Sequence, residues 1–427
     1  MRRDGADACP VVDKAVPCDA MTAPTSSPHP SAPRIAVIGA GIVGSCIALM
    51  LRKRGATVTL IDREGPATGC SYGNSGAISV SSIAPLAMPG VLASVPKMLA
   101  DPDSPLRLPL SYLPAAMPWL ARFVLSATPE RVERAAAALT ALHAGAVDKH
   151  KALAHEIGVP ELFIRRGHLH LYPSAAALQA DSAAWQLRQR FGFRFDKLDR
   201  AGIDALEPGV AARYHAAIYL ADHGTILNPA RYTRAVADAF VSRGGQLVRD
   251  DIQRMTAGAG GWTLHGVNGT HAADHVVVAA GAWSRQLLDP LGVRLQLESQ
   301  RGYHVQFTGT RDVVSRTVVL TDHKIFVTPM EEGLRVGGTV EIAGLKRPPD
   351  PRRAAILEGI ARQTFRGLEH SAATTWMGHR PCMPDSVPVV GQADGHQGLW
   401  LAVGHGHLGL TDSIPTAERI ADALLAQ

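Results

Sequence analysis

Cysteine is scarce and poorly placed for either of its structural uses. The five residues (Cys9, Cys18, Cys46, Cys70, Cys382) are odd in number and nowhere fall at metal-ligand spacing. That argues against a disulfide scaffold and a metal site, and it fits reduced thiols in a cytoplasmic setting. Charge is not clustered either: the net +5 comes from interspersed basic and acidic residues. No basic stripe with interleaved aromatics is present, so a nucleic-acid role is not expected. Long apolar runs are missing too. The longest uncharged run, residues 65–96, is broken by Pro, Gly, Asn and Ser, which a lipid-spanning helix tolerates poorly, and no transmembrane helix is expected. Residues 1–33 lack the apolar core of a secretory signal; rich in Pro, Ala, Ser and Thr, they read as a disordered leader or an overextended start, with Met21 as the alternative.

What is present is a globular composition, 46% hydrophobic over 427 residues, enough for a large core and two or three domains. The most informative stretch is residues 34–64, RIAVIGAGIVGSCIALMLRKRGATVTLIDRE. An apolar run (Ile35 to Ile38) leads into Gly39, Gly41 and Gly44 at G-x-G-x-x-G spacing, then a helical segment to Arg54, Gly55 as its stop, and a second strand, Thr57 to Ile61, ending on Asp62. A dinucleotide pyrophosphate must approach the unpaired N–H groups at a helix N-terminus, and side chains would block that approach. Gly39 permits the tight turn, Gly41 the phosphate contact and Gly44 the packing of helix on strand, while Asp62 can accept hydrogen bonds from a ribose. A glycine-rich turn in an ordinary β-α-β unit would not require Asp62.

The segment after Asp62, GPATGCSYGNSGAIS, is a loop of small residues able to wrap a ligand closely. Residues 83–125, rich in Pro, Leu and Met with Trp119, Phe123, Arg107 and Arg122, read as short helices with an apolar face, either buried under the core or laid on a membrane surface. Residues 130–157 carry helical periodicity up to Gly158, as one amphipathic helix or two. Arg166 to Tyr172 alternates as a strand and Ser174 to Arg190 reads as a helix, followed by an irregular stretch to Asp222. Asn228-Pro229 opens a helix that Gly244-Gly245 closes. A strand over 246–249, a hairpin around Trp262 and the buried-type run HVVVAAGAWS follow, and the end of that run at Gly281 returns to the cofactor. From Arg301 to Ile342 the alternation with a turn at residues 331–333 indicates a separate antiparallel sheet. A helix is expected over 351–364, a strand over 399–403, and a last helix after the loop GHGHLGLT.

Three of these segments in this order, the dinucleotide unit, HVVVAAGAWS and the C-terminal G-x-R-P with GHGHLGLT, resemble the FAD-dependent D-amino-acid oxidase superfamily, and most of all the bacterial D-amino-acid dehydrogenases of small-subunit type. The likeness runs from Arg34 to the end. It implies an α/β fold: a Rossmann-type FAD-binding domain from residues 34–84, 223–290 and 376–427, and an α+β substrate domain on an antiparallel sheet from 85–222 and 291–375.

By the same resemblance Gly39, Gly41, Gly44, Asp62 and Arg63 hold the adenosine and pyrophosphate, Ser71, Asn74, Ser75 and Gly76 line the following loop, and the backbone of Ile252 meets adenine. Gly404, His405, Gly406, Gly409 and Thr411 belong to a segment that closes over the flavin. Arg380 of Gly378-His379-Arg380-Pro381 matches an arginine that pairs with the substrate carboxylate in related amine oxidases, a task suited to a forked, always charged donor. His379 stands where the dehydrogenases usually have Leu, which bears on the pocket's shape. Tyr303 and His304 match flavin-facing positions, from which either is expected to line the pocket or donate to substrate.

The implied reaction is oxidation of a D-amino acid to a 2-oxo acid and ammonia, with hydride passing from Cα to flavin N5. Positioning by Arg380 carries the rate, and no Ser/His/Asp set or carboxylate pair is called for. Alternatives are oxidation of a cyclic or N-alkylated amino acid (D-hydroxyproline, D-proline or sarcosine type), a flavin-binding subunit without activity of its own, and, less well matched, an NAD-dependent dehydrogenase. The dehydrogenase likeness implies an amino-acid substrate, a quinone or artificial electron acceptor, and a cytoplasmic protein peripheral to the inner face of the plasma membrane through 83–125.

Overall fold

The residues from Ile35 to Ile38 are all buried, as an unbroken apolar run requires, and their strand takes a central place in a parallel sheet. The computed structural model describes residues 32–90, 106–310, 312–368 and 371–426; residues 1–31, which make up nearly all of the expected leader, lie outside them. Among the described residues this sheet has six strands in the order Gln246–Arg249, Thr57–Asp62, Arg34–Ile38, His275–Val278, Leu399–Val403, Val389–Gln392. Only the last pairing is antiparallel. The helices Ile42–Lys53, Pro229–Ser242 and Gly409–Leu425 enclose one core with the sheet, through Ile47, Leu51, Val236, Phe240, Ile420 and Leu424. Each such side chain contributes roughly 1.5–3 kcal/mol by leaving water. The helix opened by Asn228-Pro229 is capped as the sequence indicates: the Asn228 side chain accepts from Arg231 N–H at 3.0 Å.

A second, nine-stranded sheet runs Ala373–Cys382, Glu298–Thr308, Gly333–Ile342, Ile325–Met330, Thr317–Leu320, His168–Tyr172, Ala216–Leu220, Asp196–Asp199, with Leu106–Arg107 alongside Gly333–Ile342. The helix Pro351–Thr364 covers one face, where Ala354, Leu357 and Ala361 share a core with Tyr303, Val305 and Phe307. Smaller sheets join Ile252–Gly258, Gly261–Gly266 and Thr270–Ala273, and Ala77–Ile78, Gly224–Ile226 and Phe163–Ile164.

Several expectations need correction. Residues 174–190 form two helices, Ala175–Ala180 and Ser182–Arg190, with Asp181 between them. The stretch to Asp222 is not irregular: it holds the strand Asp196–Asp199, the helix Arg200–Leu206 and the strand Ala216–Leu220. These elements are short, and their period is set by the sheet they join. Of the two forms expected for 130–157 the second is found: two helices, Pro129–His143 and Ala146–Glu156, turned at Gly145 in a left-handed conformation. All six strands of the parallel sheet fall in the segments assigned to the FAD domain, which supports the two-domain division we propose. The boundary at 376 does not hold as drawn, because Ala373–Cys382 crosses it as one edge strand.

Candidate active site

At the nucleotide end, Gly39 adopts φ +107°, and a Cβ there would stand 2.4 Å from the carbonyl oxygen of Ala279. Only glycine fits. The Ile42–Lys53 helix starts at Gly41, which brings no side chain to its own N-terminus; Ile42 N–H is met instead by Ser71 Oγ at 2.8 Å. Asp62 closes the second strand as expected, but its carboxylate already accepts from Ala40 N–H (2.7 Å), Glu64 N–H and Gly65 N–H (both 2.9 Å). It therefore organises both turns at the sheet edge. Asp250 N–H bonds to Asp62 C=O, which brings the start of the Ile252 strand to this edge. The Arg63 guanidinium lies 4.2 Å over the ring of Trp283, in the turn that Gly281 begins. The side-chain-free cradle at Gly39–Gly44, with strand, helix and carboxylate around it, fits a dinucleotide diphosphate.

The small-residue loop crosses from this edge to the antiparallel sheet and is held down there. Arg335 donates to the carbonyls of Tyr72 (3.1 Å) and Asn74 (2.7 Å), and His304 Nδ1 bonds Gly73 C=O at 3.1 Å. The Asn74 side chain accepts from Gly76 N–H at 2.7 Å. His304 stacks on Trp376, with ring centroids 5.1 Å apart, and burial followed by the Arg335 charge holds its ring down to about 3. Tyr303 does not join it. Strand alternation turns it to the opposite face, where its hydroxyl donates to Glu341 at 2.7 Å and accepts from Asp350 N–H at 2.9 Å. Arg335 and Trp376 gave no signal in the sequence, since a cation and an indole in strands read as ordinary sheet residues.

Arg380 lies across Gly302 of the neighbouring strand, so that a Cβ on Gly302 would stand 2.1 Å from its Cζ. Nη1 donates to Thr339 C=O at 2.8 Å and Nη2 to Gly338 C=O at 3.3 Å. Thr339 is held at φ +59°, beside the register shift between this pair of strands. Among the described residues no carboxylate lies within ion-pair distance of Arg380, and burial lowers its pKa. His379, next in the chain, faces the other way: Nδ1 is 2.9 Å from Ser299 Oγ and the ring meets Trp283 edge-on.

The GHGHLGLT loop runs beside this strand, with Gly406 N–H donating to Pro381 C=O at 2.8 Å. Gly404 and Gly406 both have positive φ, and Gly409 begins the last helix. The two histidines part company here. His405 is buried against Thr416 Oγ1 at 3.0 Å, and Thr411 is buried with its hydroxyl accepting from Ser79 N–H. His407 stays solvent-accessible, yet desolvation dominates its ring and, with the Arg380 charge, holds it down to about 4. The same combination marks Arg380 and Cys70, whose thiol burial raises to about 11. These three sit on three segments that meet here: Cys70 Sγ donates to His379 C=O at 2.8 Å on the Ala373–Cys382 strand, and the GHGHLGLT loop joins the same strand at Pro381. The Arg380 charge acts on both of the others.

A concavity of about 330 Å³ lies among Val80, His143, Asp148, Arg165, Phe193 and Asp222, but its cation Arg165 is already paired with Asp148 and Asp222.

Comparison with known proteins follows the same lines. The protein family described as FAD dependent oxidoreductase matches residues 34–423. A D-amino-acid oxidase of Bradyrhizobium diazoefficiens is 38% identical over 410 residues, covering 92% of this chain and 96% of that protein. D-amino acid dehydrogenase 2 of Ralstonia nicotianae is 36% identical over 419 residues, with the same coverage of 92% and 96%. Among solved structures, glycine oxidase from Bacillus cereus superposes with a TM-score of 0.73 at 18% identity, covering 92% of this chain and 95% of that one, a likeness of fold.

Proposed function

The chain belongs to the family of FAD dependent oxidoreductases, and from that membership we propose that it oxidises D-amino acids to 2-oxo acids and ammonia. The observation that carries the proposal is Arg380: a guanidinium with no carboxylate partner among the described residues, on the strand to which both the loop after Asp62 and the GHGHLGLT loop are bonded. Two carbonyls from the Gly333–Ile342 strand orient it and cannot neutralise it. An incoming carboxylate supplies the missing charge through paired N–H bonds.

FAD, when bound, supplies the two-electron acceptor for the Cα–H hydride. The chain does the positioning. Gly39, Gly41, Gly44, Asp62 and Arg63 grip the adenosine and diphosphate, with the Ile252 backbone at the adenine. Gly281 and the loop containing Ser71, Asn74, Ser75 and Gly76 follow the cofactor, and Gly404, Gly406 and Gly409 give the backbone a close approach from the other side. His405 and Thr411 support that loop from beneath rather than touching the cofactor with their side chains. His304 holds the loop at Gly73, and Tyr303 braces the sheet from its far face. Arg380 fixes the substrate carboxylate, which directs Cα–H along one line.

Arg380→Leu should retain bound yellow flavin and lose kcat/KM by about 10²–10⁴-fold, on the order expected for removal of a charged positioning group. Near-normal kinetics would remove Arg380 from the substrate site. Anaerobic bleaching by a panel of D-amino acids, their L-enantiomers, D-proline, D-hydroxyproline and sarcosine tests the substrate class. Fast bleaching by the imino acids alone would select the cyclic or N-alkylated reading, and bound FAD with no bleaching the non-catalytic subunit. The acceptor we propose is a quinone or an equivalent carrier. Oxygen consumption matching substrate loss would show an oxidase instead.

A further inference from the structure

A carboxylate has room for about four hydrogen bonds on its two oxygens, and a guanidinium fork takes two of them. The strand beside Arg380 carries a donor for a third. We propose that Gln300 is a second anchor of the substrate carboxylate, its amide N–H donating to one oxygen while Arg380 holds the pair, an inference that rests on the reading of Arg380 as the carboxylate site.

The placement follows from strand register. Glu298–Thr308 and Ala373–Cys382 pair antiparallel without a shift, and Gln300 stands directly opposite Arg380. Such partners share a face, with Cβ atoms about 5 Å apart. The same register sets His304 opposite Trp376 and Gly302 opposite Gly378, and the contacts agree: His304 stacks on Trp376, and the Arg380 guanidinium lies over Gly302. One face of the strand therefore presents Gln300, then the guanidinium, then His304. His304 is committed to Gly73 C=O. Gln300 is not committed: it is only 4% exposed, yet among the described residues its side chain has no hydrogen-bond partner. Neither amide atom is sealed from water, so part of that small exposure falls on the polar end.

A buried amide without a partner is costly, and its surroundings offer it none. On the other side Gln300 stands opposite Ile342, which packs with Cys382 and with Ala116 and Trp119 of the helix Leu113–Leu125. Two residues back on the same face, the Glu298 carboxylate is taken by the Tyr112 hydroxyl at 3.2 Å and by Ser299 N–H at 2.8 Å. Arg380 sends its own bonds to Thr339 and Gly338. The amide and the guanidinium thus stand side by side, and both lack an acceptor. One incoming carboxylate serves both, giving the guanidinium its counter-charge and the amide N–H a lone pair. No covalent bond changes in this step. It fixes the carboxylate at three points instead of two, which narrows the direction of Cα–H.

The test uses the FAD-loaded enzyme and four variants: Gln300→Leu, Gln300→Glu, Arg380→Leu and the double change of both residues to Leu. Two quantities are read: KM for the D-amino acid that bleaches the wild type fastest, and competitive inhibition by propionate, which keeps the carboxylate and lacks the amine. Gln300→Leu should raise KM and the propionate inhibition constant by the same factor, about 10–10²-fold. Flavin content should hold and the thermal midpoint should not fall, because an unpaired amide gives way to an apolar chain of similar size. Gln300→Glu sets a carboxylate beside Arg380 and should weaken propionate further than Gln300→Leu does. In the double variant the losses should be less than multiplicative, since both residues act through one carboxylate. Propionate inhibition unchanged in Gln300→Leu, or a KM rise confined to substrates with polar side chains, would overturn the proposal. If Gln300→Leu loses flavin, Gln300→Glu of nearly the same shape decides, and wild-type propionate inhibition there overturns it. Near-normal kinetics in Arg380→Leu would remove the carboxylate site itself and this inference with it. A large loss in Arg380→Leu beside wild-type behaviour in Gln300→Leu rejects only the role of Gln300.

Discussion

Arg380 owes its direction to a residue with no side chain. Its guanidinium occupies the space a Cβ would take on Gly302, and this lets it cross the strand to reach Thr339 and Gly338. Gly302→Ala should therefore act on the arginine rather than on the fold: the displaced atoms are the far end of a flexible side chain, which can swing away. The expected result is a rise in KM of about 10–10²-fold at little change in flavin content, as misplacement of a positioning group predicts. Unchanged KM with a lowered thermal midpoint would show that the guanidinium tolerates the methyl group and the strand does not. His379, adjacent in sequence, is on the opposite face against Trp283 and Ser299, so its departure from the usual Leu does not put a ring beside Arg380.

The element with two distinct faces is the helix Leu113–Leu125. One side is core: Ala116 and Trp119 are buried, and the Trp119 indole donates to Cys382 C=O at 3.1 Å, two residues from Arg380. The other side exposes Met117 (50%) and Leu125 (57%), with Leu110 (85%) just before the helix. Exposed Arg107 and Arg122 flank it. The reading of 83–125 as short helices packed on the core holds for this helix, while residues 91–105 lie outside the described residues. No helix among the described residues is long and apolar enough to cross a membrane. We propose that this outer face rests on an anionic lipid surface, apolar side chains inserted and arginines at the headgroups. The triple change Leu110→Gln, Met117→Gln, Leu125→Gln should reduce co-sedimentation with anionic vesicles by about tenfold or more while leaving the flavin spectrum intact. Equal sedimentation of the two proteins would remove this face from any membrane contact.

Across the whole molecule, buried neutral histidines join elements that lie far apart in the chain, and they make stability depend on pH. His168 donates from Nε2 to Gly224 C=O at 2.9 Å, so its Nδ1 must accept; His223 Nδ1 donates to it at 2.9 Å, and His223 Nε2 in turn accepts from Ser81 N–H. An extra proton has no place in this chain. Burial lowers His168 to about 4, does the same for His150, and takes His223 well below its ordinary 6.5. With the folded value below the unfolded one, the unfolded chain binds more protons between pH 6.5 and about 4. The stability these groups confer is full above pH 6.5 and is lost as pH falls through that window, by about 3 kcal/mol for a group shifted as far as His168. His143, raised beside Asp412, works in the opposite sense. Denaturant midpoints should fall steeply from pH 7 to pH 5 with net proton uptake on unfolding, and midpoints flat across that range would contradict the neutral-histidine chain.

Sequence by itself determined the elements whose signals are local. Gly39, Gly41, Gly44 and Asp62 announce the nucleotide unit, because phosphate approach, helix start and strand end are all decided within 31 consecutive residues. Asn228-Pro229 and the alternation of 301–342 are equally self-contained, and both elements formed where expected. Tertiary structure decided what depends on a partner far along the chain. The short strands and helix between 190 and 222 exist because the His168–Tyr172 strand offers them an edge. Tyr303 and His304 are neighbours whose fates differ through the pleat of the sheet, and His405 and His407 are separated by one glycine whose turn sends one ring into the core and leaves the other exposed. A one-residue difference in direction carries no mark in composition or spacing, so the side chains that could do the chemistry became readable only once the strands and loops around them were in place.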